Sequence, residues 1–403
     1  MMEVTWLMVL LPLAAGSGWI AAKLSSKHRT ALAKKELPAA YYKGLNLLLN
    51  EQHDKAIDIL VKALEEDSET VEVQLALGNL FRRRGEIARA TRIHQNLIAR
   101  ETLDASQRSQ GLFELGQDYF KAGLLDRAEG LFMELSETSD HGDNANRSLL
   151  LIYDQEKEWE NAIQVAKRIV DSDDVTVNLL IAQYHCEIAE SAIREGRYDA
   201  AKIHVKNAVN VDNSCVRARI QSGRLSALNG DHRVAIETWK GIEDQNPGYL
   251  GDVMDLIATS YRTLGGYPEY RNYLEHALKR TADVRIMFSL LEVVDELEGS
   301  LKAESFLVGW LRTHPTIYGL YRLIELKIKQ KPSDQEDLLL LESMIGSLLK
   351  KDSAYICRQC GFAGKTLHWQ CPGCKSWNSI LSTQHQTTLQ KYAISGYRHI
   401  KHV

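Results

Sequence analysis

The chain has 403 residues, 44% hydrophobic and 25% charged, a mixture that excludes wholesale disorder and suggests two or three folded units. Its 49 Lys and Arg against 53 Asp and Glu leave a net charge of -4, which argues against a general nucleic-acid binder. Only 7 prolines punctuate it, favouring long helices over an all-β or loop-rich fold.

Val4 to Ala22 form an unbroken run without a charge. As a helix rising about 1.5 Å per residue, it spans roughly 28 Å, close to the hydrocarbon core of a bilayer. Trp6 and Trp19 lie near its ends, where indoles favour the interface, and Pro12 is tolerated in a spanning helix. A signal peptide carries positive charge before its apolar core, yet only Glu3 precedes this one. Lys23, Lys27, Arg29, Lys34 and Lys35 all follow it. The predicted arrangement is a transmembrane anchor over residues 1–22 with the bulk of the chain in the cytoplasm. A signal peptide and a buried core helix are the alternatives.

From about Tyr41 the sequence repeats. Gly44 and Ala56 are followed by Gly78 and Ala90, then by Gly116 and Ala128, and Gly223 and Ala235 keep the same spacing within the pair. A period near 34 with small residues at this offset is the tetratricopeptide signature, in which each unit is two antiparallel helices. The small residues are expected to let the two backbones approach, with Phe81 and Tyr119 filling nearby space. Gly85, Gly123, Gly196 and Gly230 stand where the first helix of a unit ends, and a left-handed glycine suits that turn. Other units are eroded: Leu150 replaces the glycine before Ala162, Ala189 pairs with Ala201, and Tyr270 takes the small position after Ala258. Around Gly299 and Glu304 only the turn survives. The predicted fold is all-α, a superhelical solenoid over residues 23–350 with about seven clear units and one or two eroded ones. Such a solenoid offers a groove for protein partners and no enclosed catalytic pocket. Arg82-Arg83-Arg84 is read as a solvated helix face rather than a basic patch.

Four of the six cysteines crowd together near the end of the chain: Cys357 and Cys360, then Cys371 and Cys374. Two C-x₂-C pairs with a short gap between them suit one tetrahedral ion, zinc or iron. Gly361 and Gly373 are expected to relax the tight turns, and Thr366–Trp369 and Trp377–Ile380 to form short strands. His368 reads as an exposed strand residue rather than a fifth ligand. A ribbon of about 30 residues cannot bury enough apolar surface to be stable alone, so the ion is expected to supply folding energy. Trp369 or Trp377 is expected to brace it against the last helices. Cys186 and Cys215 read as buried helix thiols.

An anchor, a tetratricopeptide body and a rubredoxin-type ribbon in this order resemble the lipopolysaccharide assembly family LapB, also called YciM. Local wording carries the likeness: Leu77 to Arg82, Arg84-Gly85-Glu86, Arg92 to Gln95, Gly123-Leu124, Asp126 to Glu129, and Cys357 through Cys374. The resemblance covers nearly the whole chain to about residue 380. It implies a single-pass inner-membrane adaptor, not an enzyme, that promotes degradation of the deacetylase LpxC by the protease FtsH. It also implies restraint by a lipopolysaccharide-sensing inner-membrane protein. The ligands carried over are Cys357, Cys360, Cys371 and Cys374, in a domain over residues 351–385, with one iron as the expected ion and zinc as the alternative. Two departures stand out: the gap between cysteine pairs is shorter than in a rubredoxin proper, and Lys375 follows the second pair where glycine is common. Residues 386–403 run past the family's usual end and read as an idle basic tail. Homo-oligomerisation stays open.

A redox module is the competing function, since a Cys₄ iron can carry one electron. A nucleic-acid ribbon using Arg358, Lys365 and Lys375 is disfavoured by the net charge. The sequence has no Gly-rich phosphate loop, nucleophile elbow or His-Glu zinc motif, so a hydrolase has no support.

Overall fold

The computed structural model describes residues 39–383 except 51, 67–69, 139, 170–174, 282, 331–335 and 351. The anchor expected over Val4–Ala22 and the tail lie outside the described residues. Among the described residues no helix is long and apolar enough to cross a membrane.

Two compact units divide the chain, Met1–Ile152 and Tyr153–Val403. In the first, α1 (Ala39–Leu49) pairs with α2 (His53–Glu66), α3 (Val71–Arg83) with α4 (Ile87–Ile98), and α5 (Ala105–Lys121) with α6 (Leu125–Leu135). Helix α7 (Gly142–Glu156) runs across the division. The second unit continues with α8 (Trp159–Ala166), the pair α9 (Val175–Arg194) and α10 (Tyr198–Val211), and the pair α11 (Val216–Leu228) and α12 (His232–Lys240). A short α13 (Ile242–Gln245) and a 3₁₀ turn (Pro247–Val253) interrupt the pattern. Then follow α14 (Met254–Leu264) with α15 (Tyr267–Thr281), α16 (Val284–Glu298) with α17 (Ser300–Thr313), and α18 (Ile317–Gln330) with α19 (Glu336–Leu349). The predicted helical-repeat architecture is therefore present, with a small ribbon after it.

The repeat glycines serve a different contact from the one expected. A Cβ on Gly78 would lie 2.3 Å from His94 Nε2, on Gly116 2.6 Å from Phe132 Cε1, and on Gly223 2.2 Å from Trp239 Nε1. Each obstacle is a side chain on the second helix of the same hairpin, always at the same offset from its glycine. The glycine thus receives a large buried ring rather than a neighbouring backbone. Where Leu150 replaces glycine, the residue at the matching offset is Ala166, and both are buried.

The turns agree with prediction. Gly85, Gly123, Gly196 and Gly230 have φ of +86°, +75°, +75° and +87°. The turn from α7 to α8 uses Lys157 instead, at φ +61°, a conformation costing a side-chain-bearing residue roughly 1–2 kcal/mol.

The arginine run is not a uniform solvated face. Arg82 Nη1 donates to Asp118 at 2.8 Å and Nη2 to Glu114 at 2.5 Å, while buried His94 Nδ1 meets Asp118 Oδ2 at 2.6 Å. Arg82 therefore ties α3 to α5, because a buried carboxylate needs a charged partner. Arg83 and Arg84 are exposed, Arg84 pairing with Asp54.

Candidate metal centre

The ribbon is a three-stranded antiparallel sheet in the order β2-β1-β3, with β1 at Tyr355–Cys357, β2 at Ala363–Gly364 and β3 at Ile380–Ser382. The first expected strand is corrected, and the second begins only at its last residue, Ile380. Residues 366–369 form a bend and loop, and Trp377 makes only an isolated bridge to Gln370. His368 is exposed in that loop, hydrogen-bonded to Thr366.

The two cysteine pairs adopt the same knuckle twice. The Cys357 amide donates to the Phe362 carbonyl at 2.8 Å, and the Gly361 amide to the Cys357 carbonyl at 3.0 Å. In the second knuckle, the Cys371 amide donates to the Ser376 carbonyl at 2.9 Å, and the Lys375 amide to the Cys371 carbonyl at 2.9 Å. Gly361 takes φ +75° and Lys375 φ +61° at equivalent positions. The second knuckle demands the left-handed geometry that glycine adopts without strain, and lysine supplies it at a cost. Gly373, expected to relax a turn, has no positive φ; it gives room, since a Cβ there would lie 3.3 Å from Cys360 Sγ.

The knuckles bring all four sulfurs together. Cys357 and Cys374 Sγ are 3.7 Å apart, Cys360 and Cys371 Sγ 3.6 Å, and all four lie within 4.8 Å of one another. Zinc–sulfur bonds of about 2.3 Å predict a tetrahedral edge of about 3.8 Å, so the sulfur cage fits one ion. Cys357 and Cys371 are buried, Cys374 is half-buried and Cys360 is exposed. The charges fit as well. The Ser379 hydroxyl, then the amides of Cys360 and Gln359, pull Cys357 down to about 6, and Ser376 lowers Cys374. At Cys360 the Phe362 amide favours the thiolate, but partial desolvation and the three neighbouring sulfurs push the thiol up to about 11. Four sulfurs this close cannot all ionise without a cation between them.

The ribbon is docked inside the second unit, not on its last helices as expected. Trp377 meets Trp159 and Tyr184 edge-on, with ring centroids 6.2 and 6.0 Å apart. Trp369 stacks on Tyr249 at 5.3 Å, with the Arg217 guanidinium 5.8 Å from its centre. Around these rings runs a set of polar contacts. Asp154 accepts from Gln370 Nε2 at 2.6 Å and Trp377 Nε1 at 3.3 Å. Gln183 donates to Asn378 at 3.1 Å, Tyr249 to the Ile380 carbonyl at 3.2 Å, and Tyr355 to Asp252 at 2.6 Å. Burial, then Asp252, raises Tyr249 to about 12, so it stays a donor. The partners come from α7, α8, α9, α11 and the 3₁₀ turn, so the ribbon braces successive hairpins. Leu381 and Trp369 join the hydrophobic core of Trp239, Met254 and Leu290. None of these partners has a sequence signal. A tyrosine or aspartate on a helix reads the same whether it faces water or a domain far along the chain.

A helical-repeat array carrying an internally docked Cys₄ ribbon defines a scaffold protein with a metal-binding module. A family described as "Rubredoxin metal binding domain" matches residues 355–381. Lipopolysaccharide assembly protein B of Escherichia coli strain K12 is 33% identical over 376 residues, 93% of this chain and 97% of that protein. The Haemophilus influenzae protein of the same name is 30% identical over 390 residues, 94% of this chain and 98% of that one. The chain belongs to the lipopolysaccharide assembly protein B family. Solved structures align more loosely. Pseudomonas aeruginosa PilF aligns at TM-score 0.32 and 19% identity, over 52% of this chain and 91% of that one. YrrB, a tetratricopeptide protein with an unusual peptide-binding site, aligns at TM-score 0.33 and 18% identity, over 47% and 92%.

Proposed function

We propose that this chain is a membrane-tethered adaptor in lipopolysaccharide assembly. It holds the deacetylase LpxC for the protease FtsH and answers to a lipopolysaccharide-sensing membrane protein. The observation that carries the reading is the match to lipopolysaccharide assembly protein B over 93% of the chain. Residues 1–22 are the single-pass inner-membrane anchor, residues 23–350 the solenoid in the cytoplasm, residues 351–385 the metal domain and 386–403 a tail. Tethering raises the local concentration of a bound client near a membrane protease.

Cys357, Cys360, Cys371 and Cys374 are the metal ligands. Iron and zinc suit such thiolates equally in geometry. The docked, bracing position of the ribbon favours a structural ion without redox duty, and zinc fills that role. A purified chain containing stoichiometric iron with a reversible one-electron couple would instead favour the electron-transfer reading.

The first unit supports client binding. A cavity of about 380 Å³ lies along one face of α3, lined by Tyr41, Leu49, Glu72, Leu75, Asn79 and Arg83. Its apolar floor suits a side chain, its Asn79 amide suits a peptide backbone, and Glu72 and Arg83 offer opposite charges. Depleting the chain should lengthen the LpxC half-life, and Arg83→Glu should weaken LpxC crosslinking. An unchanged half-life after depletion would refute the adaptor role. A C-terminal reporter active only in the periplasm would refute the orientation.

A further inference from the structure

Two cysteines remain outside the metal centre, and the fold brings them together. Cys186 lies inside α9, and Cys215 caps the N-terminus of α11 in the next hairpin. Their sulfurs are 3.9 Å apart, and the residues are 0% and 1% exposed. Above them sits the ribbon. Gln183 Nε2 lies 3.5 Å from Cys215 Sγ and donates to ribbon Asn378 at 3.1 Å. Tyr249, close enough to feel the charge of Cys215, carries Trp369 on its ring and the Ile380 carbonyl on its hydroxyl. The dithiol is therefore covered by side chains that the ribbon itself holds in place.

We propose that Cys186 and Cys215 form a reversible disulfide site, responsive to hydrogen peroxide and shielded by the docked ribbon. The geometry is close: a disulfide needs the sulfurs at about 2.05 Å, a closure of roughly 1.9 Å from their present separation. The roles are also unequal. The hydrogen bond from Cys186, then the Ala218 amide at the helix start, favours the thiolate of Cys215 against its burial. Burial, then Cys215, holds Cys186 as the thiol.

The Cys215 thiolate attacks one peroxide oxygen. The O–O bond breaks, giving a sulfenic acid on Cys215 and hydroxide. The Cys186 sulfur then attacks the Cys215 sulfur. An S–S bond forms, the S–O bond breaks, and water leaves with the Cys186 proton. The two thiols together lose two electrons to the peroxide, and an external dithiol returns them by exchange. In a reducing compartment such a bond is transient, as a sensing disulfide must be. This step is independent of the adaptor role.

The test uses the full chain with its metal retained. Wild type, Asp154→Ala and Asn378→Gly are treated with hydrogen peroxide, quenched and mapped by peptide mass spectrometry. Asp154→Ala loosens the ribbon at its polar anchor. Asn378→Gly removes the side chain over Gln183 while keeping the left-handed backbone that Asn378 adopts at φ +52°, so it serves if the first variant folds poorly. The expected result is a Cys186–Cys215 linked peptide, about 2 Da lighter and reversed by dithiothreitol, forming at least about tenfold faster in the loosened chain. In Cys186→Ser, Cys215 should stop at a sulfenic acid that dimedone traps. Equal linking rates in all chains would overturn the shielding. Cys215 passing to sulfinic acid while Cys186 stays a free thiol would overturn the disulfide site itself.

Discussion

Asp154→Ala is the sharpest test of the ribbon as a brace. The carboxylate accepts from Gln370 and Trp377 of the ribbon and from the Tyr184 hydroxyl of the helical body. Truncation leaves three donors without an acceptor. A hydrogen bond to a charged group contributes about 1.5–3 kcal/mol, and three that share one carboxylate do not add. Against this, burial raises the pKa of Asp154 despite those bonds, so removing the group recovers part of its desolvation cost. The net loss in docking is about 2–3 kcal/mol, or roughly 30- to 150-fold in the undocked population. Hydrogen exchange of the amides in residues 355–382 reads this directly, with metal content measured in parallel. Exchange there should speed by that factor while α14 and α15 keep their protection. Asp154→Asn, which retains one acceptor, should fall between. Unchanged protection in the alanine variant, with the metal still bound, would refute the argument that Asp154 anchors the ribbon.

Three further outcomes follow from the same structure. Gly223→Ala should destabilise by about 1–2 kcal/mol in denaturant melts, because overpacking against Trp239 outweighs the helix-propensity gain; Gly130→Ala, with nothing within 4 Å of the added Cβ, should instead stabilise by up to about 1 kcal/mol. Cys371→Ser, or metal removal by a chelator, should disorder the ribbon and shift Trp369 and Trp377 fluorescence to the red, whereas an unshifted spectrum would deny the ion a folding role. His185, held down to about 4 by burial and then by His204 and Lys167, stays neutral in the fold at pH values where the unfolded chain protonates it. Its contribution to stability is therefore present above about 6.5 and lost as pH falls from there toward 4. Thermal melts of His185→Gln should show a flatter dependence across that window than wild type.

Local and periodic features are legible without coordinates. The glycine and alanine offsets announce helical hairpins because each unit must meet the same packing requirement. The turn glycines announce left-handed caps because few other residues tolerate that backbone. The double C-x₂-C announces a sulfur cage because two residues of spacing turn both thiols toward one point. Other readings fail for one common reason. Gly78, Gly116 and Gly223 suggest a close backbone, yet each admits a ring from the following helix. Arg82 reads as solvated until α5 supplies Glu114 and Asp118. The ribbon tryptophans point in sequence to the last helices, yet they settle on Tyr184 and Tyr249.

By itself, then, the sequence determined the hairpin units, their turns and the four sulfurs of the ribbon, all set by neighbours close along the chain. Only the tertiary structure decided where the ribbon docks and that Cys186 meets Cys215. Those contacts join positions that lie from one repeat to more than half the chain apart. No periodicity encodes them, because burial against a distant surface leaves no local pattern in the chain.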